Sequence, residues 1–168
     1  MTKKATLKTC FILFLLCILF TGCSSKKTSD ETVSPEAEAV INAMFTAPNE
    51  ELYSIDSSTV IGENSEATSD VSSADSERIL ENWNDLLGKY FTKGRLEYFI
   101  STYAQTYLSE AAYNDTSITV KKISLESKTD SSETVLVTYL INKTENTEKI
   151  HFTYDQDGLI KDISPVTD

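Results

Sequence analysis

Few side chains in this sequence could do chemistry, and they are poorly spaced for it. His151 is the only imidazole in 168 residues, and no nucleophile or orienting carboxylate stands at a recognisable distance from it. The three cysteines are Cys10, Cys17 and Cys23, all in the first 23 residues. The remainder therefore has no thiolate nucleophile, disulfide or zinc-thiolate site. A metal site there would rest on carboxylates, which suit harder ions. Asp155-x-Asp157-Gly158 is a fragment of a calcium loop without its terminal Glu, and ordinary turn chemistry accounts for it. No glycine-rich phosphate loop or nucleophile elbow occurs. No catalytic residue, metal or cofactor is assigned. Of eight tyrosines, Tyr90, Tyr103, Tyr107, Tyr139 and Tyr154 fall on apolar faces. They are the candidate lining of a ligand pocket, with plain core packing as the competing reading.

The clearest functional signal lies around Cys23. Lys3, Lys4 and Lys8 precede the eleven-residue run CFILFLLCILF, and small residues come after it. A basic start, a short apolar run and a small-residue exit make a secretory signal. The run falls short of the ~20 apolar residues that cross a bilayer. Phe20-Thr21-Gly22-Cys23 resembles the lipobox of bacterial lipoproteins. That resemblance implies diacylglyceryl attachment to Cys23 and a lipid-anchored chain on the extracytoplasmic face of the cell membrane. Residues 1–22 are then the signal peptide and 23–34 a flexible tether. SSKKTSDETVS within the tether is too polar to offset its ordering entropy.

The net charge is −11 at pH 7, and removing the basic leader makes the rest more acidic still. Such a chain repels nucleic acid and anionic headgroups, so no nucleic-acid partner is expected.

Residues 35–168 suffice for one domain. Ser34-Pro35 reads as an N-cap and first helical residue, and Ala37, Val40, Ile41, Met44 and Phe45 make a helical stripe that Pro48 ends. Asn49 is placed to cap a second, short helix. Residues 56–76, Ser-rich and acidic, read as a long surface loop. Ile79, Trp83, Leu86, Leu87 and Tyr90 restore the helical period. Thr92 is the next cap, before Leu96, Phe99, Ile100, Tyr103 and Tyr107. The second half changes period. Ile118, Val120, Ile123 and Leu125 alternate with a slip at Lys121-Lys122 that predicts a bulge. Val135 to Ile141 is apolar on both faces, as in an inner strand. Ile150, Phe152 and Tyr154 make a half-solvated strand, and Leu159–Ile163 the last. Connections at residues 129–132, 143–148 and 156–158 are hairpin-sized and predict an antiparallel four-stranded meander. His151 lies opposite Ile150, Phe152 and Tyr154, on the solvent face or toward the interior.

Helices succeeded by a meander define an α+β class. The order resembles the nuclear transport factor 2-like superfamily, in which a curved sheet wraps the helices into a cone. Tyr154-Asp155-Gln156-Asp157-Gly158-Leu159-Ile160-Lys161-Asp162-Ile163 is similar to that family's closing hairpin. Met44–Glu50 and Phe91–Gly94 resemble segments of exported lipoproteins of Gram-positive bacteria. A cystatin-like arrangement fits the same strands but normally has one main helix. The strand usual between the helices would come from Ser58–Ile61.

The resemblance puts binding or chemistry in the mouth of the cone. The expected role is a non-catalytic module for an envelope partner, peptide or small apolar ligand. The alternative is an isomerase- or cyclase-like enzyme whose base is a pocket carboxylate such as Asp56 or Glu97, beside a tyrosine. A homodimer through the sheet is a third expectation.

Overall fold

The computed structural model describes residues 32–55 and 70–167. The signal, Cys23, nearly all of the tether, Asp56 and residues 57–69 lie outside them, Ser58–Ile61 included. The fold is that of the unit Glu31–Asp168.

Helix α1 spans Pro35–Met44, with Pro35 in its first turn. The Ser34 hydroxyl caps it by accepting from the Ala37 N–H at 3.1 Å. Ala37, Val40, Ile41 and Met44 are its buried stripe. The expected second helix at Asn49 is a single turn. The Asn49 carbonyl accepts from Leu52 N and Tyr53 N at 3.2 and 3.0 Å, and its side chain accepts from Glu51 N at 3.2 Å. Leu52 and Tyr53 are buried as neighbours, and Ile55, three residues on from Leu52, is exposed and does not continue a buried helical face.

Helix α2 runs Asp70–Leu87, so the last seven residues of the expected loop 56–76 are helical. Buried Ser76 extends the stripe of Ile79, Trp83 and Leu87 by one turn, a position that counting apolar residues passes over. Leu86, expected on that stripe, is exposed. A 3-10 turn, Gly88–Tyr90, leads to Gly94, which takes φ 76 and is the N-cap of α3 (Arg95–Phe99) in place of Thr92. Thr92 contributes only its carbonyl, to Arg95 N at 3.0 Å. A π turn at Ile100–Ala104 comes next, then α4 (Gln105–Asn114), so α3 to α4 is one continuous rod.

Strands β1 (Ile118–Lys128), β2 (Ser132–Ile141), β3 (Thr144–Tyr154) and β4 (Ile160–Pro165) form an antiparallel sheet in the order β1-β2-β3-β4. β2 is an inner strand, as its two apolar faces predict. The β1 register slips at Val120/Lys122, where the bulge was expected, and again at Leu125/Ser127. The connection expected over 143–148 shrinks to Asn142-Lys143. Asn142 accepts φ 55, which permits a two-residue hairpin, and Thr144 to Glu148 pair in register with β2. Their polar composition hid them, because pairing needs backbone rather than apolar side chains.

The helices cover one face of the sheet. Val135, Val137, Tyr139, Ile150 and Phe152 point into that core with Phe45, Trp83 and Phe99. On the opposite face the ion pairs Lys121–Glu145 and Lys149–Glu126 (3.2 Å) each cross over β2, above Leu136 and Leu140. Lysine stems lying over leucines shield apolar surface that no helix covers. His151 is on this outer face, its Nδ1 3.0 Å from Thr134 Oγ1. The α+β class is as expected.

Candidate functional site

On the core face, the two-residue alternation of β2 and β3 carries two carboxylates inward: Glu133 with Val135 and Val137, and Glu148 with Ile150 and Phe152. Each meets a tyrosine hydroxyl. Sequence reading places both outside the strands, in or beside hairpin loops. Stepping back by twos from Tyr154 and Tyr139 would have found them.

Glu133 is 1% exposed. The Tyr154 hydroxyl donates to it at 2.5 Å, the Ser34 hydroxyl also donates, and Ser34 N lies 3.3 and 3.4 Å from its two oxygens. Lys128 Nζ is 3.2 Å from its other oxygen and also donates to Thr32 O at 3.2 Å. Burial alone would push this carboxyl up. The bonds from Ser34, Tyr154 and Lys128 outweigh that and hold it below its ordinary value. Ser34, Glu133, Tyr154 and Lys128 thus latch the start of α1 to the sheet. Every acceptor position is spoken for, so the cluster offers no free base.

Glu148 differs. The Tyr107 hydroxyl donates to it, and the pair borders a cleft of about 130 Å³ lined by Met44, Tyr103, Thr106, Ile150, Ile163 and Pro165. Behind it the interior is filled. The Phe45 ring is 4.2 Å from Tyr107 and 4.7 Å from Tyr139, which are 5.8 Å from each other.

Tyr103 lies within the π turn and Tyr107 in the first turn of α4. Ile100, Ala104, Leu108 and Ala111 are buried, while Tyr103 and Tyr107 are half-buried toward the cleft. One extra residue in a turn rotates the remainder of the rod about its axis, and such insertions recur at functional sites.

The five candidate tyrosines are therefore divided. Tyr103, Tyr107 and Tyr139 gather around Glu148, Tyr154 belongs to the latch, and Tyr90 sits in the 3-10 turn under Lys89 Nζ at 4.7 Å. Glu97 is exposed beside Lys93 and Gly94, with no tyrosine partner. Asp155 Oδ1 accepts from Asp157 N and Leu159 N, both at 2.9 Å, so it serves its turn. Among the described residues no group of acidic and imidazole side chains could hold a metal ion. A broader groove of about 870 Å³ lies between residues 48–55, α4 and the start of β1. Of its polar residues, Asn142 is engaged with Ser117 at 3.1 Å and Arg78 with Asp75 at 3.5 Å, while the Thr116 hydroxyl is buried without a hydrogen-bond partner among the described residues.

Burial first, then Glu148, raises the Tyr107 phenol far above its ordinary 10.0. Burial and Glu133 do the same for Tyr154, against the opposing bond to Ser34. Tyr139 is raised by burial and by Glu148, with its bond to Tyr107 opposing. Since these folded-state values lie above the unfolded one, the stability they contribute is complete below the unfolded value. It is lost as pH rises through the folded values. Alkaline spectrophotometric titration of the native chain should show at least these phenols ionising late. Tyr107→Phe and Tyr154→Phe should each remove one late phenol, and unchanged late absorbance in both would refute the pairing.

The geometry defines a small α+β domain with an aromatic, carboxylate-bearing cleft at the junction of helix and sheet. Comparison with family models, curated proteins and solved structures finds no match to the chain. No helix among the described residues is long and apolar enough to cross a membrane.

Proposed function

We propose that this chain is a lipoprotein anchored through Cys23 on the extracytoplasmic face of the cell membrane. Its nuclear transport factor 2-like domain acts as a non-catalytic binding module there. The lipobox-like Phe20-Thr21-Gly22-Cys23 behind a short apolar run supports the anchor. One observation carries the binding role: the inward carboxylates are held by tyrosines, and the interior that an enzyme would keep open is packed with Phe45, Tyr107 and Tyr139. A cleft of about 130 Å³ is well below the ~300–1,000 Å³ of small-molecule sites. It suits one group projecting from a partner.

For the isomerase- or cyclase-like reading, Asp56 lies outside the described residues and Glu97 is exposed, while Glu148 has with Tyr107 the kind of pair such chemistry uses. The closed interior favours binding over turnover.

The anchor is tested by growth with labelled palmitate. Label should enter the wild-type chain, be absent from Cys23→Ala, and travel with the membrane fraction. An unlabelled wild-type chain found in the cytosol with its leader attached would end the proposal. Binding is tested by affinity capture from envelope extract, with the tether alone as control; no recovery above that control would count against the module.

A further inference from the structure

We infer that the cleft beside Glu148 receives a primary ammonium group on a short alkyl chain. This rests on the binding-module reading and names the chemistry of its occupant. The Glu148 carboxylate is half-buried, and its one bonded partner is a neutral phenol, Tyr107. Among the described residues no lysine or arginine stands within ion-pair distance of it. Glu126, Glu133 and Glu145 on the same sheet each have a lysine. A carboxylate drawn partly out of water without a cation calls for one.

The walls narrow the choice. Tyr103 and Tyr107 put aromatic rings, whose faces attract cations, into the cleft wall, and Met44, Ile150, Ile163 and Pro165 form an apolar floor for methylenes. At ~30 Å³ per water-sized group, the cleft has room for about four or five non-hydrogen atoms. That matches the end of a lysyl side chain or a free alkylamine. The net charge of −11 would attract such a cation from solution. Tyr103 lies within the π turn and Tyr107 just after it, and such turns recur at functional sites.

The chain has only two methionines, Met1 and Met44, so a methyl-labelled methionine spectrum reports the cleft through one signal. The purified full chain is titrated with n-butylammonium, n-butanol and n-butyrate. Saturable movement of the Met44 signal is expected with butylammonium at concentrations at least about tenfold below those for the other two. Glu148→Gln should abolish that preference, with circular dichroism confirming the fold. The comparison of probes on the wild-type chain stands even if the variant does not fold. A peptide with a single lysine, set against its acetyl-lysine counterpart, identifies the source. Tighter binding of the lysyl peptide than of butylammonium indicates a protein partner, and equal binding indicates a free amine. Butanol moving Met44 as readily as butylammonium would overturn the ammonium inference and leave a small-ligand module standing. Movement by no probe, together with no captured partner, would overturn both.

Discussion

Replacing Trp83 with alanine is expected to remove about 3–5 kcal/mol of stability, the usual cost of emptying a large aromatic site in a packed core. Trp83 is fully buried, meets the Phe99 ring edge-on at 6.1 Å, and donates from Nε1 to the Leu52 carbonyl at 2.9 Å. That bond ties α2 to the turn after α1, across 31 residues of sequence. Truncation creates a cavity and also leaves a carbonyl without its donor. Trp83→Phe keeps most of the volume and loses the bond, so a smaller loss of about 1–3 kcal/mol is expected. Urea unfolding monitored by far-ultraviolet circular dichroism separates the two. Since domains of this kind are stable by only ~5–15 kcal/mol, Trp83→Ala should be partly unfolded near its growth temperature. A loss under about 1 kcal/mol would mean that the indole does not occupy this position.

Glu133→Ala is the second large effect, expected at about 3–5 kcal/mol because it strands Lys128 and the hydroxyls of Ser34 and Tyr154 around a vacated buried site. Glu133→Gln keeps the shape while removing the charge, and should cost less. The two differ in pH dependence. A carboxyl held below its ordinary 4.5 in the folded chain contributes stability that is complete above the unfolded value and lost as pH falls through the folded one. The gap between wild type and Glu133→Gln should therefore be widest near neutrality and shrink on acidification below the ordinary carboxylate range. Urea midpoints measured across that range check it, and a constant gap would show that charge is not what holds the latch.

Much of the architecture was legible in the sequence because burial leaves a periodic trace. The stripe Ala37, Val40, Ile41, Met44 predicted α1, and the alternation of Val135, Val137 and Tyr139 predicted β2. The failures share a cause. Ser76, Glu133 and Glu148 are polar residues on core-facing positions, and a pattern built on apolar residues drops them. Elements were consequently cut short where those residues fall: α2 starts earlier, β2 reaches back to Ser132, and β3 begins at Thr144. Three of the five tyrosines proposed for a pocket do converge, yet their carboxylate partner lay in a segment read as loop. The π turn left no signal, because the extra residue is visible only as a change of phase between Ile100 and Leu108.

Both margins of the sheet are closed at one end by short contacts from the helical half. Ala47 exchanges two backbone bonds of 2.9 Å with Ile118 at the start of β1, and Thr92 N bonds Ile160 O at 3.0 Å at the start of β4. Both β1 bulges disrupt the pleat of that same outer strand. A foreign strand seeking to zip onto either border would find its first rungs taken and the next ones out of step. A chain whose sheet borders are guarded in this way should resist edge-to-edge fibril growth.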